Sequence, residues 1–181
     1  MTERAPLLLL FAAALLRLSA RLTPLLISLL LVVIANLPIS FTAGLLPAPA
    51  LALSAVFFWA LLRPGLMPPA AVLVIGLAED LLSGGPPGLW AAGFMAAYVL
   101  IDRERKMFEE LNGAGMLIAF TGAVLLTATT AYLLASAIYL RLLPVAPLLL
   151  QSIATIVLFP LLERLLAWMD RSITRSLRSA G

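Results

Sequence analysis

Two adjacent acids, Glu79 and Asp80, are the residues of this chain whose type and position could do chemistry. They lie in Pro68–Gly88, PPAAVLVIGLAEDLLSGGPPG, which opens on two prolines and an apolar run and closes on Ser-Gly-Gly-Pro-Pro-Gly, a concentrated helix stop. Carboxylates inside an apolar run, or at its edge, are costly unless they have partners or water. Neighbours on a helix point about 100° apart, so the two acids cannot both face one partner. A cation or proton path needs a chain of titratable groups across the membrane. No His exists to extend one, so a structural or partner-binding role is expected.

The rest of the composition removes other chemistries. Cysteine is absent, which excludes a disulfide framework, thiolate catalysis and a cysteine metal site. The absence of histidine removes the commonest general base and the commonest metal ligand. Ser83–Gly88 is Gly-rich, but it lacks the lysine and strand context of a phosphate loop. The Ser, Thr and Tyr residues have no His or Lys beside them, so nucleophilic catalysis has no apparatus. No catalytic residue, metal ligand or cofactor is expected, and the chain reads as a non-enzyme.

These acids must be positioned by membrane helices. The 181 residues are 63% hydrophobic and 12% charged, with mean hydropathy +1.11. A soluble domain carries about a quarter charged residues. The chain therefore reads as an all-α integral membrane protein in contact with lipid. Its pI near 10 does not signal nucleic acid, because the basic residues flank apolar segments.

Six apolar segments are expected as spans: Thr23–Phe41, Pro49–Leu62, Leu66–Leu82, Gly88–Ile101, Ala114–Leu140 and Pro144–Trp168. Trp59 sits near the end of the second, where an indole suits the membrane–water interface. Arg63-Pro64-Gly65 is a tight connection, and residues 102–110 form a polar loop. The earlier run Leu7–Leu16 is too short to span. It reads as a helix on the cytoplasmic interface or as an extension of the first span, and not as a cleaved signal, since Leu18 suits no cleavage site. The organisation is then an N-terminal interfacial segment (1–22), a six-helix domain (23–168) and a basic tail (169–181) whose Arg171, Arg175 and Arg178 share one helical face.

Of the 12 basic residues, Arg4, Arg17, Arg21, Arg63, Arg103, Arg105, Lys106, Arg164, Arg171, Arg175 and Arg178 fall on one side of this arrangement. Arg141 alone falls on the other, which puts both termini in the cytoplasm. The acids then lie near the outer surface, on the same side as Arg141, and an ion pair with Arg141 is expected. The fifth span carries Gly115, Ala119, Ala123, Thr127, Ala131 and Ala135 at every fourth residue. Small residues at that spacing let two helices approach closely. The reading is packing within the chain, and the oligomeric state is left open.

Trp59 with Arg63-Pro64, then Gly76-Leu77, Asp80-Leu81-Leu82-Ser83-Gly84-Gly85, Pro86 or Pro87, and Gly88-Leu89 resemble the MreD family of rod shape-determining membrane proteins. There a Trp and an Arg-Pro precede a GLL-x-DLLSG-x-P-x-G segment. The basic loop at 103–106, Phe159-Pro160 and the basic tail are similar too, so the resemblance runs from about residue 23 to 171. Glu79 departs from the pattern, which has Gln or an apolar residue there.

The resemblance implies a non-catalytic inner-membrane scaffold of the bacterial cell-elongation machinery. Such a scaffold partners MreC, and is linked to MreB and to the cell-wall polymerase and transpeptidase complex that makes lateral peptidoglycan. It also implies a six-helix fold similar to the substrate-binding subunits of energy-coupling-factor vitamin transporters, and such a subunit is the alternative function. The first span lacks the Ala-x-x-x-Ala seam typical of those subunits, and the outer loops have few hydrogen-bonding side chains. Reporter fusions test the orientation: Gly84 should report the outer side and Gly181 the cytoplasm, and a cytoplasmic signal at Gly84 ends this arrangement.

Overall fold

The computed structural model describes residues 22–37, 47–111 and 113–179, with the side chains of 109 and 172–179 excepted. Among them the chain is all-helical, with seven α-helices. These are α1 (Leu22–Ala35), α2 (Leu51–Leu62), α3 (Pro69–Ser83), α4 (Leu89–Arg103), α5 (Arg105–Glu109), α6 (Ala114–Tyr139) and α7 (Ala146–Ser179). A 3-10 turn, Pro64–Leu66, links α2 to α3. The N-terminal segment 1–21 and the stretch of the first expected span beyond residue 37 lie outside the described residues.

Proline and glycine set the boundaries. Pro69 begins α3, where its missing N–H costs nothing. Gly84 ends it in the left-handed conformation, φ +69°, and Gly88 precedes α4 at φ +96°. Only glycine takes such angles without steric cost. A single turn of helix, α5, interrupts the loop expected at 102–110. The sixth span was expected to stop at Trp168, yet α7 continues unbroken to Ser179. Its second half contains neither Gly nor Pro after Pro160 and is rich in Leu and Arg, which favour helix.

α2 is the centre. It is apolar all round and buried from Ala52 to Leu61, packing against α4, α5, α6 and α7. Trp59 is therefore not at an interface: it is 1% exposed, and its Nε1 has no hydrogen-bond partner among the described residues. Phe57 of α2 meets Phe120 of α6 edge-on at 5.3 Å and Phe159 of α7 at 5.6 Å, and the latter two stack at 3.9 Å. Three helices thus share one aromatic joint.

α3 packs on α4, and α4 on α6. The small-residue line of α6 is this contact: Ala119, Ala123, Thr127, Ala131 and Ala135 are all buried. Thr127 Oγ1 donates to the carbonyl of Gly93 at 3.2 Å, and a Cβ at Gly93 would come within 3.0 Å of the Thr127 carbonyl oxygen. Gly115 stands apart from the buried line, half-buried against Leu111. At the α3–α4 contact a Cβ on Gly76 would run into the backbone of Ala91.

Hydroxyls in these apolar helices are turned inward on their own turns. Ser28, Thr121, Thr130, Ser152 and Thr155 each donate to the carbonyl four residues back. Outward faces carry exposed apolar side chains, among them Leu26, Ile118, Leu133, Val157 and Leu161. Ala114–Tyr139 and Ala146–Arg171 are long and apolar enough to cross a membrane. Charge gathers at the end where α2 stops: Arg63 there pairs with Asp170 of α7 at 3.1 Å, near the 102–106 cluster.

Gly76→Val should lower stability in detergent by roughly 1–3 kcal/mol, because α3 and α4 must separate. Gly65→Ala, where a Cβ meets nothing within 4 Å, should leave the thermal midpoint unchanged.

Candidate functional site

The acids sit where α1, α3 and α4 meet, at the end of the bundle opposite Arg63. Both are buried: Glu79 is 4% exposed and Asp80 1%. Adjacent in sequence, they turn to different neighbours, as the 100° step between helical positions requires.

Asp80 reaches across the turn to α4. Its Oδ2 accepts hydrogen bonds from the backbone N–H of Gly88 at 2.8 Å and of Ala91 at 3.3 Å, and its Oδ1 accepts from Trp90 N–H at 2.7 Å. The first turn of a helix has N–H groups without partners inside the helix. A Ser, Thr, Asp or Asn beside that turn normally supplies an acceptor. Gly88 supplies none, so Asp80 does this from eight residues earlier. The carboxylate also faces the positive end of the α4 dipole. The glycines make the reach possible: Gly84 and Gly88, both at positive φ, fold Gly85-Pro86-Pro87 back so that α4 starts beside the last turn of α3. Ser83 Oγ donates to the Asp80 carbonyl, fastening the same turn at 3.3 Å.

Glu79 turns to α1. Its Oε1 accepts from Asn36 Nδ2 at 3.1 Å, and the same nitrogen donates to the Val32 carbonyl at 2.9 Å. Glu79 Oε2 is buried without a hydrogen-bond partner among the described residues. Asn36 was missed as a partner, although it closes the first apolar run at the end where Glu79 closes the third. Asp80's role had a signal as well: a helix opening Gly-Leu-Trp, with no capping side chain, follows an acid across a tight turn.

The expected ion pair to Arg141 does not form. Both oxygens of Asp80 are occupied by backbone N–H groups, Glu79 faces Asn36, and Arg141 is exposed just after α6. Trp59, Arg63 and Pro64 are not part of this site, since they lie at the far end of α2. There Arg63 joins α2 to α7 through Asp170, and Pro64 opens the 3-10 turn. Gly76 provides the close approach one turn before the acids. The site is thus a capped helical hairpin with a second acid bound to α1.

On the same end, Ala50 N–H donates to Thr155 Oγ1 at 2.9 Å and Gln151 Nε2 donates to the Ala48 carbonyl at 2.9 Å. These bonds tie the entry into α2 to the start of α7. Sequence reasoning assigned no role to either residue.

Asp80→Asn keeps one acceptor but leaves at least one buried N–H of α4 unsatisfied. It should cost roughly 2–3 kcal/mol in a denaturant titration. Glu79→Gln keeps the Asn36 bond and should change stability by less than about 1 kcal/mol. Wild-type stability of the Asp80 variant would refute the capping role.

No family model, curated protein or solved structure matches this chain.

Proposed function

We propose that the chain is a non-catalytic, six-span scaffold of the bacterial inner membrane, of the kind its resemblance to the MreD family implies. In this reading both termini are cytoplasmic. The protein helps to hold MreC, MreB and the lateral peptidoglycan polymerase and transpeptidase complex together. The observation that carries the reading is the fate of Asp80. The acid of the Asp-Leu-Leu-Ser-Gly segment spends both oxygens on the backbone of α4, so the segment makes a fixed hairpin and not an ion path. A scaffold needs a surface of fixed shape, and a doubly left-handed glycine turn locked by a carboxylate supplies one at the outer end.

The charge distribution supports the orientation. Among the described residues Arg63, Arg103, Arg105, Lys106, Arg164 and Arg171 belong to one end and Arg141 to the other. The length of the short helices fits less simply. The 15 residues of α3 make about 22 Å of helix, against a hydrocarbon core of about 30 Å. The hairpin would then sit in a shallow dent of the outer face, where satisfied backbone groups are a requirement.

The alternative, a vitamin-binding transporter subunit, would use a polar pocket at the outer end. A cavity of about 200 Å³ does lie there, lined by Trp90, Tyr132, Leu143 and Gln151 among others. Its polar side chains already serve the fold: Tyr132 donates to the Leu143 carbonyl and Gln151 to that of Ala48. That favours the scaffold.

Expression in a rod-shaped host depleted of its own MreD decides between them. The wild-type chain should restore rods and retain MreC on purification, and Asp80→Asn should do neither fully. Cells that remain round with the wild-type chain would sink the proposal. A vitamin requirement on depletion, with shape unchanged, would favour the transporter.

A further inference from the structure

At the basic end, a cavity of about 410 Å³ opens between the first turn of α6 and the second half of α7. It is absorbed neither by the hairpin nor by the proposed scaffold role. Ala114, Leu117, Phe159, Glu163, Arg164 and Arg171 are among its walls. The sequence makes room for it: α6 opens on Gly113-Ala114-Gly115, which brings almost no side-chain volume. Opposite them Pro160 interrupts the hydrogen-bond ladder of α7, since it has no N–H to offer.

The walls divide by chemistry. Leu117 and Ala167 give the cavity an apolar side, with the buried Phe159 beneath them. Arg164 and Arg171 are seven residues apart, two helical turns, and so stand on the same side of α7. The other guanidiniums with ion pairs are spent elsewhere, Arg63 on Asp170 and Arg105 on Asp102. Arg164 and Arg171 make no ion pair among the described residues. α6 adds to their field. Its cap residue is Gly113, with no side-chain cap and no acid in the first turn, so the positive end of a 26-residue helix faces the cavity wall. Glu163 supplies one acceptor beside them.

Two unpaired arginines and a helix N-terminus select a phosphate, which takes charge-assisted bonds from both. An apolar side on a helix of membrane length selects an amphiphile. One carboxylate selects a headgroup that can donate a hydrogen bond. Basic pockets between membrane helices on the cytoplasmic side are where anionic headgroups settle.

We propose that this cavity seats the headgroup of an anionic phospholipid of the cytoplasmic leaflet, with phosphatidylglycerol the matching chemistry. The phosphate lies between Arg164, Arg171 and the start of α6. The glycerol hydroxyls donate to Glu163, and the acyl chains leave along Leu117. The inference uses only the membrane orientation from the proposed function; it is independent of any link to MreC or MreB.

The full chain, purified in mild detergent and stripped of lipid, is titrated with phosphatidylglycerol or phosphatidylcholine and read by native mass spectrometry. Phosphatidylglycerol should be retained preferentially. The double variant Arg164→Gln/Arg171→Gln should lose that preference by about thirtyfold. Arg105→Gln, which removes an equally basic but ion-paired residue, should keep it. Thermal midpoints in detergent without lipid confirm that the variants fold. Equal retention of the two lipids, or a preference unchanged in the double variant, overturns the proposal. Displacement of the lipid by millimolar inorganic phosphate overturns it too, because the site would then belong to a soluble phosphate.

Discussion

One carboxylate and three backbone N–H groups hold the described end of this molecule in shape. Asp80 is 1% exposed and would be an expense anywhere in an apolar helix. The start of α4 carries the complementary need, a row of N–H groups with no acceptors of their own. Each cancels the other once the chain doubles back. The register of α3 against α4 follows, and with it the depth at which Gly76 meets Ala91 and Gly93 meets Thr127. Through Gly93 the same register is passed to α6, whose buried small residues accept α4 and no bulkier neighbour.

The sequence was most informative where backbone chemistry is most restrictive. Pro68-Pro69, Gly84 to Gly88 and the long uninterrupted run after Gly113 mark α3, α4 and α6 to within a few residues, because φ constraints act locally. The every-fourth-residue line in α6 was legible for a similar reason: a small side chain matters only where another backbone comes close. Gly115 fell outside the buried line because it lies in the first turn, before α4 is reached.

The misreadings share a cause of the opposite kind. Trp59 was placed at an interface from its position near a helix end. Nothing local in LALSAVFFWALL says that α2 is the hub around which four other helices pack. Arg141 was paired with the acids because side and charge agreed. The actual match is between a side chain and main-chain N–H groups, which composition does not count and only the bare Gly-Leu-Trp opening of α4 hints at. Asn36 and Glu79 meet across 43 residues, where the matching ends of two apolar runs are a hint and no local pattern fixes the pair.

The capped hairpin also bears on which helices can settle alone. α3 by itself would hold two acids without their partners, which is costly in any apolar setting. α4 alone would carry a bare N-terminus. Joined through Asp80 and its short glycine turn, the two helices form the smallest piece of this region in which those three N–H groups and both Asp80 oxygens are satisfied. The pair is therefore the unit that must form together, since parting α3 from α4 strips the carboxylate and the N–H groups of their partners at once.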